Sequence, residues 1–375
     1  MFTFENREAQ LDELLDKMAE EVQLDITRYE RMKSSYESIQ AWLEDDELFF
    51  KPFSYDVYPH GSVRILTTVK PIGKDEFDLD IAIHLKSNTP HTPHRIYNEL
   101  KRRLGENGLY RRKIELKNRC IRLNYAGDFH IDILTGVQEN TFDKNRLKVP
   151  DQKLSDWVSS NPRGYAEWFF ERVNLVSESL LEKALKAEKL PNDNFKNKKP
   201  LQRGVQLIKR YRDIYFQEDG TFKTSSIILT TIAGNFYKGE ESIFDTVDGI
   251  ISTIREQIVL YPYTRLKVLN PVNDAEDFTD KWDKEPQYYE AFKKFVFHLY
   301  NEWQKLKEQY GLIEEGKIMK GLFGDDLFMR AQTKQASEID NLRQNNLLSI
   351  SRASGILSPK ATNNTIIKSN TFYGE

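Results

Sequence analysis

The chain has 375 residues, of which 39% are hydrophobic and 12% aromatic, so it can bury a sizeable core and global disorder is excluded. Its length favours two lobes over one compact domain. A formal net charge of −3 argues against a surface built as a whole to hold a nucleic acid backbone, and a single cysteine, Cys120, excludes an internal disulfide and a cysteine-rich zinc site.

Secretion and membrane insertion are not encoded in the usual way. No basic and then apolar leader follows Met1, and the most apolar run, residues 227–233, is interrupted by threonines and is far too short to cross a bilayer. We therefore expect a cytoplasmic protein that has neither a membrane nor a nucleic acid as its partner.

Two helical patterns open the chain. Charged residues fill the faces between their apolar positions, so we expect amphipathic helices that pack on the rest of the chain, with a coiled-coil partner as the alternative. The apolar positions are Leu11, Leu14, Leu15, Met18 and Val22, followed by Met32, Tyr36, Ile39 and Leu43.

From Tyr55 the pattern changes to that of an α/β lobe. Residues 76–83 alternate between polar and apolar and predict a strand, and a helix is predicted around residues 93–104. Residues 119–125 and 129–134 predict a hairpin that turns at residues 126–128.

Helical patterns dominate beyond about Pro162. The last segment, from about Ala353, is rich in Ser, Thr, Asn and Gly and is predicted to be mobile. We predict an α+β protein with three parts: an N-terminal helix with a mixed α/β core (1–165), a helical lobe (166–330) and a C-terminal segment that ends in a flexible tail (331–375). The candidate helices of the second part are residues 168–185, 200–215, 227–237 and 288–310, with a lysine-rich loop at 189–200.

Three carboxylates stand out as candidates for chemistry. Asp78 and Asp80 are two residues apart in a predicted strand, so both side chains project from one face while their apolar neighbours face the core. Carboxylates held so close repel each other, and magnesium, a hard cation that takes oxygen ligands, relieves the repulsion. If the strand of Asp132 pairs beside this one, three carboxylates can hold two metal ions for an in-line phosphoryl displacement.

Gly61-Ser62 precedes the first strand aspartate and suits a phosphate. Glycine lets the backbone approach a phosphate group, and the serine adds a hydroxyl donor. A helix that begins near Ser62 would add its N-terminal amides. Ser62 as a nucleophile is the poorer alternative, because no histidine stands in an obvious base arrangement.

Each of these features is common by itself, but their order and spacing resemble a known signature. Gly61-Ser62, then Asp78-Leu79-Asp80, then a strand aspartate is similar to the signature of the DNA polymerase β-like nucleotidyltransferase superfamily. The longer string 61–71, continued at 75–80, resembles the bacterial cGAS/DncV-like nucleotidyltransferases. Residues 205–212, 224–232 and 270–282 are similar to further elements of that family, and the resemblance spans about residues 29–303.

The resemblance implies a bilobed fold with a long N-terminal helix, a polymerase β-like core of mixed sheet and helices, and a helical second lobe that completes a nucleotide cleft. Asp78, Asp80 and Asp132 would bind two Mg²⁺ ions, with Mn²⁺ as the alternative metal. Asp132 would lie nearest the acceptor hydroxyl and help to activate it.

The resemblance also assigns the donor phosphates. Gly61 and Ser62 would hold them, with Lys209 and Ser226 assisting. The plainer alternatives are a solvated helix position for Lys209 and a helix N-cap for Ser226, with Ser225 as the competing serine. A run of basic residues from Arg102 to Arg122 is interpreted as the solvent-exposed face of a helix and a strand rather than as a basic groove.

The implied activity is synthesis of a cyclic di- or oligonucleotide second messenger from ATP and other nucleoside triphosphates, in bacterial anti-phage (CBASS-type) signalling where the product activates a separate effector protein. Two alternatives remain: transfer of a nucleotide to an RNA 3′ end or a protein side chain, and a non-catalytic nucleotide sensor. A sensor would be expected to have lost one of the three carboxylates. The tail, residues 371–375, would be either a plain disordered end or a segment captured by a regulatory or conjugating partner.

Overall fold

The protein is described here from a computed structural model that covers residues 7–73, 75–86, 91–125, 127, 129–153, 155–174, 190–191, 193–308, 311–350, 357–359 and 365–367. The N-terminal elements are α1 (Arg7–Glu21), α2 (Ile26–Glu44), β1 (Tyr55–His60), α3 (Gly61–Arg64), β2 (Phe77–Leu85), α4 (Pro93–Glu106), α5 (Gly108–Arg111), β3 (Ile114–Leu116), β4 (Ile121–Tyr125), β5 (Phe129–Gln138), β6 (Leu147–Asp151) and β7 (Asp156–Ser160). The helical part contains α6 (Pro162–Val173), α7 (Pro200–Tyr215), α8 (Ser226–Phe236), α9 (Ile243–Leu260), α10 (Lys281–Lys284), α11 (Gln287–Lys307), α12 (Leu312–Phe323) and α13 (Asp325–Gln344). Short strands β8 (Leu269–Asn270), β9 (Asn273–Asp277), β10 (Leu348–Ile350), β11 (Leu357–Pro359) and β12 (Thr365–Ile366) complete it.

The N-terminal part is built on a mixed seven-stranded sheet in the order β1-β2-β5-β4-β3, with β6 joined to β5 and β7 to β6. Strands β2 and β5 are parallel, and the remaining neighbours are antiparallel. The predicted hairpin is confirmed as β4 and β5. The prediction of an α+β fold with a mixed sheet is therefore confirmed.

Alternation within β2 explains how the sheet serves both a core and a site. Phe77, Leu79 and Ile81 are buried in the hydrophobic core that α2 and α4 cover. The alternate positions, Asp78 and Asp80, face away from that core because successive strand residues point to opposite sides. Burial of the apolar face of β2 stabilises the fold, so the opposite face can carry Asp78 and Asp80.

A second hydrophobic core fills the helical part. It gathers apolar residues of α6 to α9 and α11 to α13, and the N-terminal helix α1 contributes Leu11, Leu15 and Met18 to it. Helix α1 packs against α13 and α9, whereas α2, capped at its start by Asp25, packs on the sheet. The division of the chain into the three parts given above stays a prediction.

The predicted helices of the second part appear with small shifts. Residues 200–215 are helical as predicted, and α8 and α11 match the patterns at 227–237 and 288–310. Helix α6 begins earlier than predicted, because Pro162 occupies its first turn and Asn161 caps it by accepting the amide of Gly164 at 3.0 Å. Much of the pattern at 168–185 lies outside the described residues.

Helix α7 fixes the loop that follows α3. Gln202, Gln206 and Lys209 project from one face of the helix, and each donates a hydrogen bond to a backbone carbonyl of the loop. The acceptors are the carbonyl oxygens of Ile65, Thr68 and Thr67, at 3.0, 2.7 and 3.2 Å. The helical part therefore holds in place the segment that begins at Gly61.

Candidate active site

Strand register brings the three predicted carboxylates together. Asp80 lies directly beside Asp132 across the parallel pair β2 and β5, and Asp78 projects from the same face of β2 two residues before Asp80. The first strand completes the arrangement, since its last residue, His60, is the partner of Asp80 on the other side. Two segments more than 50 residues apart in sequence thus present their acidic residues at one place.

The carboxyl groups interact strongly. Withdrawal from water within the cleft, together with the negative charges of Asp78 and Asp132, raises the pKa of Asp80 to about 8. The pKa of Asp78 is raised for the same reasons, burial first and then the charge of Asp132, although 54% of its side chain is exposed at the mouth of the cleft. A cluster of this kind favours a bound cation over three ionised groups alone.

Arg122 is in direct hydrogen-bond contact with two of these carboxylates. Its Nε and Nη2 donate to the two carboxylate oxygens of Asp132, both at 2.7 Å, and Nη2 also reaches Asp78 Oδ1 at 3.3 Å. Within the described residues no set of three His, Cys, Asp or Glu side chains is arranged to hold a metal ion as it stands. Arg122 occupies both oxygens of Asp132 with a bidentate contact, so this carboxylate faces a guanidinium here.

Gly61 forms the turn from β1 into α3 and touches the carboxylates. Its φ is +60°, a conformation that residues with a side chain rarely adopt, and a Cβ added to it would overlap Asp80 Oδ2. The predicted helix near Ser62 is the four-residue α3, and the Ser62 hydroxyl lies 3.2 Å from that of Thr68. Glycine is therefore required here by both backbone and space.

Lys209 is not the solvated helix residue of the plainer interpretation. Only 3% of it is exposed, and its Nζ donates to Thr67 Oγ1 at 2.9 Å as well as to the Thr67 carbonyl. Burial, assisted by the positive charge of Arg212, lowers the pKa of Lys209 to about 7. An anionic ligand beside this amine would raise that pKa and hold the lysine in its charged form.

Ser226 opens helix α8 rather than capping it. Ser225 occupies the N-cap position, and Ser226 Oγ accepts a hydrogen bond from Arg212 Nη1 at 2.6 Å. The guanidinium of Arg212 also binds Asp213, and Lys223 reaches the same carboxylate at 2.9 Å. Arg212, Lys223 and Asp213 therefore line the same cleft as the serine to which the resemblance assigns a role.

All but one of the predicted residues line a single cleft with a volume of about 590 Å³. The cleft lies between the edge of the sheet and the helices α7 and α8. Asp132 sits beside it on β5, with 18% of its side chain exposed. Lining residues that were predicted are Gly61, Ser62, Asp78, Asp80, Lys209 and Ser226.

Sequence reasoning passed over three basic residues of this site. Arg122 was assigned to a solvent-exposed strand face, yet it pairs with Asp132 in the β4–β5 register. The signal was present, because a hairpin with the turn at 126–128 pairs residues 122 and 132. Arg212 and Lys223 had no such signal, since only the approach of α7 to the start of α8 brings them to the cleft.

Comparisons with known proteins identify the family of this chain. Over its full length the chain is 42% identical to a protein of Roseivirga ehrenbergii named c-di-GMP synthase, whose full length is also covered. The chain belongs to the cGAS/DncV-like nucleotidyltransferases. These are synthases of cyclic di- and oligonucleotides, and residues 10–174 match the family described as Second Messenger Oligonucleotide or Dinucleotide Synthetase domain.

Other members of this nucleotidyltransferase family are more distant. The cyclic dinucleotide synthase CdnG of Bradyrhizobium diazoefficiens is 22% identical over 94% of this chain and 89% of that protein. A solved structure of CdnG from the same species, in complex with GTP, covers 87% of this chain and 99% of its own with a TM-score of 0.71. DncV of Escherichia coli, bound to 3′-deoxy GTP, has a TM-score of 0.55 and covers 86% of this chain and 89% of its own. These likenesses confirm the fold.

Among the residues that the structure describes, no helix combines the length and the apolar character needed to cross a membrane. The tail at 371–375, for which a partner was considered, lies outside the described residues.

Proposed function

We propose that this nucleotidyltransferase converts two molecules of GTP into c-di-GMP, using Asp78, Asp80 and Asp132 to hold two Mg²⁺ ions. The observation that carries the proposal is the convergence of these three carboxylates at a cleft that Gly61 and Lys209 also line. The name of the relative that shares 42% of the sequence over its whole length supports the product.

The residues present fit a pair of hard divalent cations. The ligands would be carboxylate oxygens, which Mg²⁺ prefers, and the pKa values of Asp78 and Asp80 are raised by burial first and then by the charges of neighbouring carboxylates. Asp132 would exchange its contacts with Arg122 for contacts with the ions. When bound, the ions would favour ionisation of the attacking hydroxyl and neutralise charge on the transferred phosphate. Mn²⁺ has a similar preference for oxygen and is the alternative metal.

The side chains of the protein orient the two nucleotides. The turn at Gly61 and the hydroxyl of Ser62 would hold the donor phosphates, and Lys209 would add a positive charge from α7. Arg212 positions Ser226 at the start of α8 on the other wall. In each half of the reaction one ribose hydroxyl would attack the α-phosphate of the other nucleotide and pass its proton to Asp132. The new P–O bond forms as the bond from the α-phosphorus to the bridging oxygen breaks, and pyrophosphate leaves.

Incubation with Mg²⁺ and each ribonucleoside triphosphate, alone and mixed, tests the activity. GTP alone should give a phosphatase-resistant product with the mass of c-di-GMP, and chelation of the metal should stop its formation. A labelled macromolecule instead would support transfer to RNA or protein, and binding without turnover of any triphosphate would support a sensor.

Single carboxylate-to-amide substitutions test the residues. Asp78→Asn and Asp132→Asn should each abolish turnover while the protein stays folded, because each removes a proposed metal ligand. Asp45→Asn is the matched control, since it removes the same charge from a side chain that is 81% exposed and outside the cleft. Near-normal turnover by either cleft variant would contradict the assignment.

We further propose that the enzyme works in the cytoplasm and that its cyclic product activates a separate effector protein in anti-phage (CBASS-type) signalling. A structure of E. coli CdnC with a HORMA protein shows a partner for that relative. For this chain a regulatory or conjugating partner at the tail is a proposal, tested by comparing the full chain with one shortened by residues 371–375 in a pull-down from the native host.

A further inference from the structure

A second cavity, of about 320 Å³, adjoins the phosphate cleft. The two share His60, Gly61, Tyr165 and Ile227 as lining residues, so a nucleotide with its phosphates or ribose near the carboxylates can extend its base into the second cavity. The floor and walls are apolar, as suits a flat aromatic ring. They include Leu134, Val149, Val158, Pro162 and Phe278.

One carboxylate lines this cavity without a cationic partner. Glu276 Oε2 accepts a hydrogen bond from Asn270 Nδ2 at 2.8 Å, and Oε1 has only the Ser160 hydroxyl at 3.5 Å. Among the described residues no lysine or arginine lies within ion-pair distance of Glu276. Burial raises the pKa of Glu276, which reflects how little water reaches it. Such a group gains from additional N–H donors.

Arg119 is the second charged residue that lines the cavity. Its Nε donates to Asp151 Oδ2 at 2.9 Å, and Asp151 is itself buried. The positive charge of Arg119 is close enough to oppose the rise in the pKa of Glu276. The guanidinium of Arg119, bound to Asp151, therefore shares this largely apolar cavity with a carboxylate whose donors among the described residues are Asn270 and Ser160.

The two charges match the edges of one base. Guanine carries N1–H and a 2-amino group side by side, which a carboxylate can accept together, and its O6 and N7 are the acceptors that arginine binds. Adenine presents the lone pair of N1 beside its 6-amino group, so a carboxylate would face a repelling acceptor. A site discriminates strongly against a wrong ligand when binding of that ligand leaves buried polar groups of the site without hydrogen-bond partners.

We propose that this cavity binds a guanine base, with the Glu276 carboxylate accepting from N1–H and the 2-amino group and with Arg119 donating to O6 and N7. The inference rests on the proposed function, because it gives that reaction its base selectivity. It makes Glu276 a specificity-determining residue outside the phosphate cleft.

Inosine triphosphate tests the role of Glu276, because inosine keeps N1–H and O6 but lacks the 2-amino group. Wild type should bind GTP more tightly than ITP or ATP in equilibrium titrations with non-hydrolysable analogues. Glu276→Gln should weaken GTP binding roughly 10- to 100-fold and bring the GTP-to-ITP preference close to one, since the amide replaces one acceptor by a donor. Asp274→Asn is the control: it makes the same change of charge on the same strand in a side chain that is 92% exposed.

Arg119→Gln separates the two contacts. It should weaken binding of GTP and ITP by equal factors, because both bases carry O6 and N7, and should leave the preference for the 2-amino group unchanged. Thermal melting of each variant identifies loss of folding. A folded Glu276→Gln protein that keeps the wild-type GTP-to-ITP ratio would overturn the proposal, as would a wild type that binds both equally.

The experiments distinguish failure of the proposed function from failure of the inference about Glu276. In that case no cyclic product forms from any triphosphate, whereas the binding preference for guanine and its dependence on Glu276 can still be measured. If the cyclic product does form from GTP but the preference does not depend on Glu276, the function stands and the inference is wrong.

Discussion

Replacing Gly61 by alanine should separate the geometry of the carboxylate cluster from the stability of the fold. A methyl group at this position would overlap Asp80 Oδ2 and would lie 3.0 Å from its Cγ and 3.4 Å from its Cβ. Either the turn or the carboxylate must move, by about 1 Å, and a displacement of that size at a reacting centre typically lowers the rate about 100-fold.

Gly73→Ala is the matched control. Gly73 has the same φ of +60°, but a Cβ added there would meet nothing within 4 Å. Both variants therefore carry the same cost of a left-handed backbone, roughly 1–2 kcal/mol, and only Gly61→Ala also displaces Asp80. The difference between the two measures the contact and not the backbone.

The assay is kcat/KM for cyclic product formation from GTP, with thermal melting of both variants. We expect similar losses of melting temperature, a fall in kcat/KM of about 100-fold for Gly61→Ala, and a value near wild type for Gly73→Ala. Equal activities in two folded variants would refute the reasoning, because they would mean that the close approach of Gly61 to Asp80 has no part in the site.

Two further outcomes follow from the charges in the cleft. The pKa of Asp80 in the folded protein, about 8, lies above its ordinary value of 3.8, so the contribution of this group to stability is fully present below pH 3.8, falls as pH rises from there, and is lost above about 8. Metal-free Asp80→Asn should therefore melt higher than wild type at pH 9, with a gap that narrows toward pH 5; a gap independent of pH would contradict the raised pKa. Lys209→Met should weaken GTP binding roughly tenfold by removing a buried positive charge, whereas Lys51→Met, at a side chain 58% exposed, should leave binding unchanged. Unaltered affinity in Lys209→Met would mean that its amine serves only to hold Thr67.

Local sequence patterns predicted the strand and the helix that carry site residues, but they did not predict all the helices that pack around them. Alternation around Asp78 and Asp80 predicted both the strand and the shared face, because the side-chain period of a strand is fixed by its backbone. The helix at 200–215 was predicted from its apolar spacing for the same kind of reason. Helices α9 and α13 were not predicted, although their residues were available to the same reasoning.

Pairing between distant segments was beyond local pattern. Asp132 lies beside Asp80 because β2 and β5 pair in parallel, although α4, α5, β3 and β4 separate these strands in the chain. From the sequence, the convergence of the carboxylates could be predicted only if these two strands were assumed to pair. Arg122 was assigned to solvent because its role depends on what lies opposite it on β5.

The sequence by itself determined which residue types are present and which of them share a face: two aspartates on one strand, a glycine-serine turn before it, and an amphipathic helix that carries Lys209. Tertiary structure decided what those faces meet. The carbonyls of residues 65–68 bind α7, the guanidinium of Arg122 binds Asp132, and Glu276 shares a cavity with Arg119 although 157 residues separate them. The physical reason is that backbone geometry sets the direction of a side chain from its immediate neighbours, whereas its partner and its exposure to water are set by the packing of segments distant in the chain.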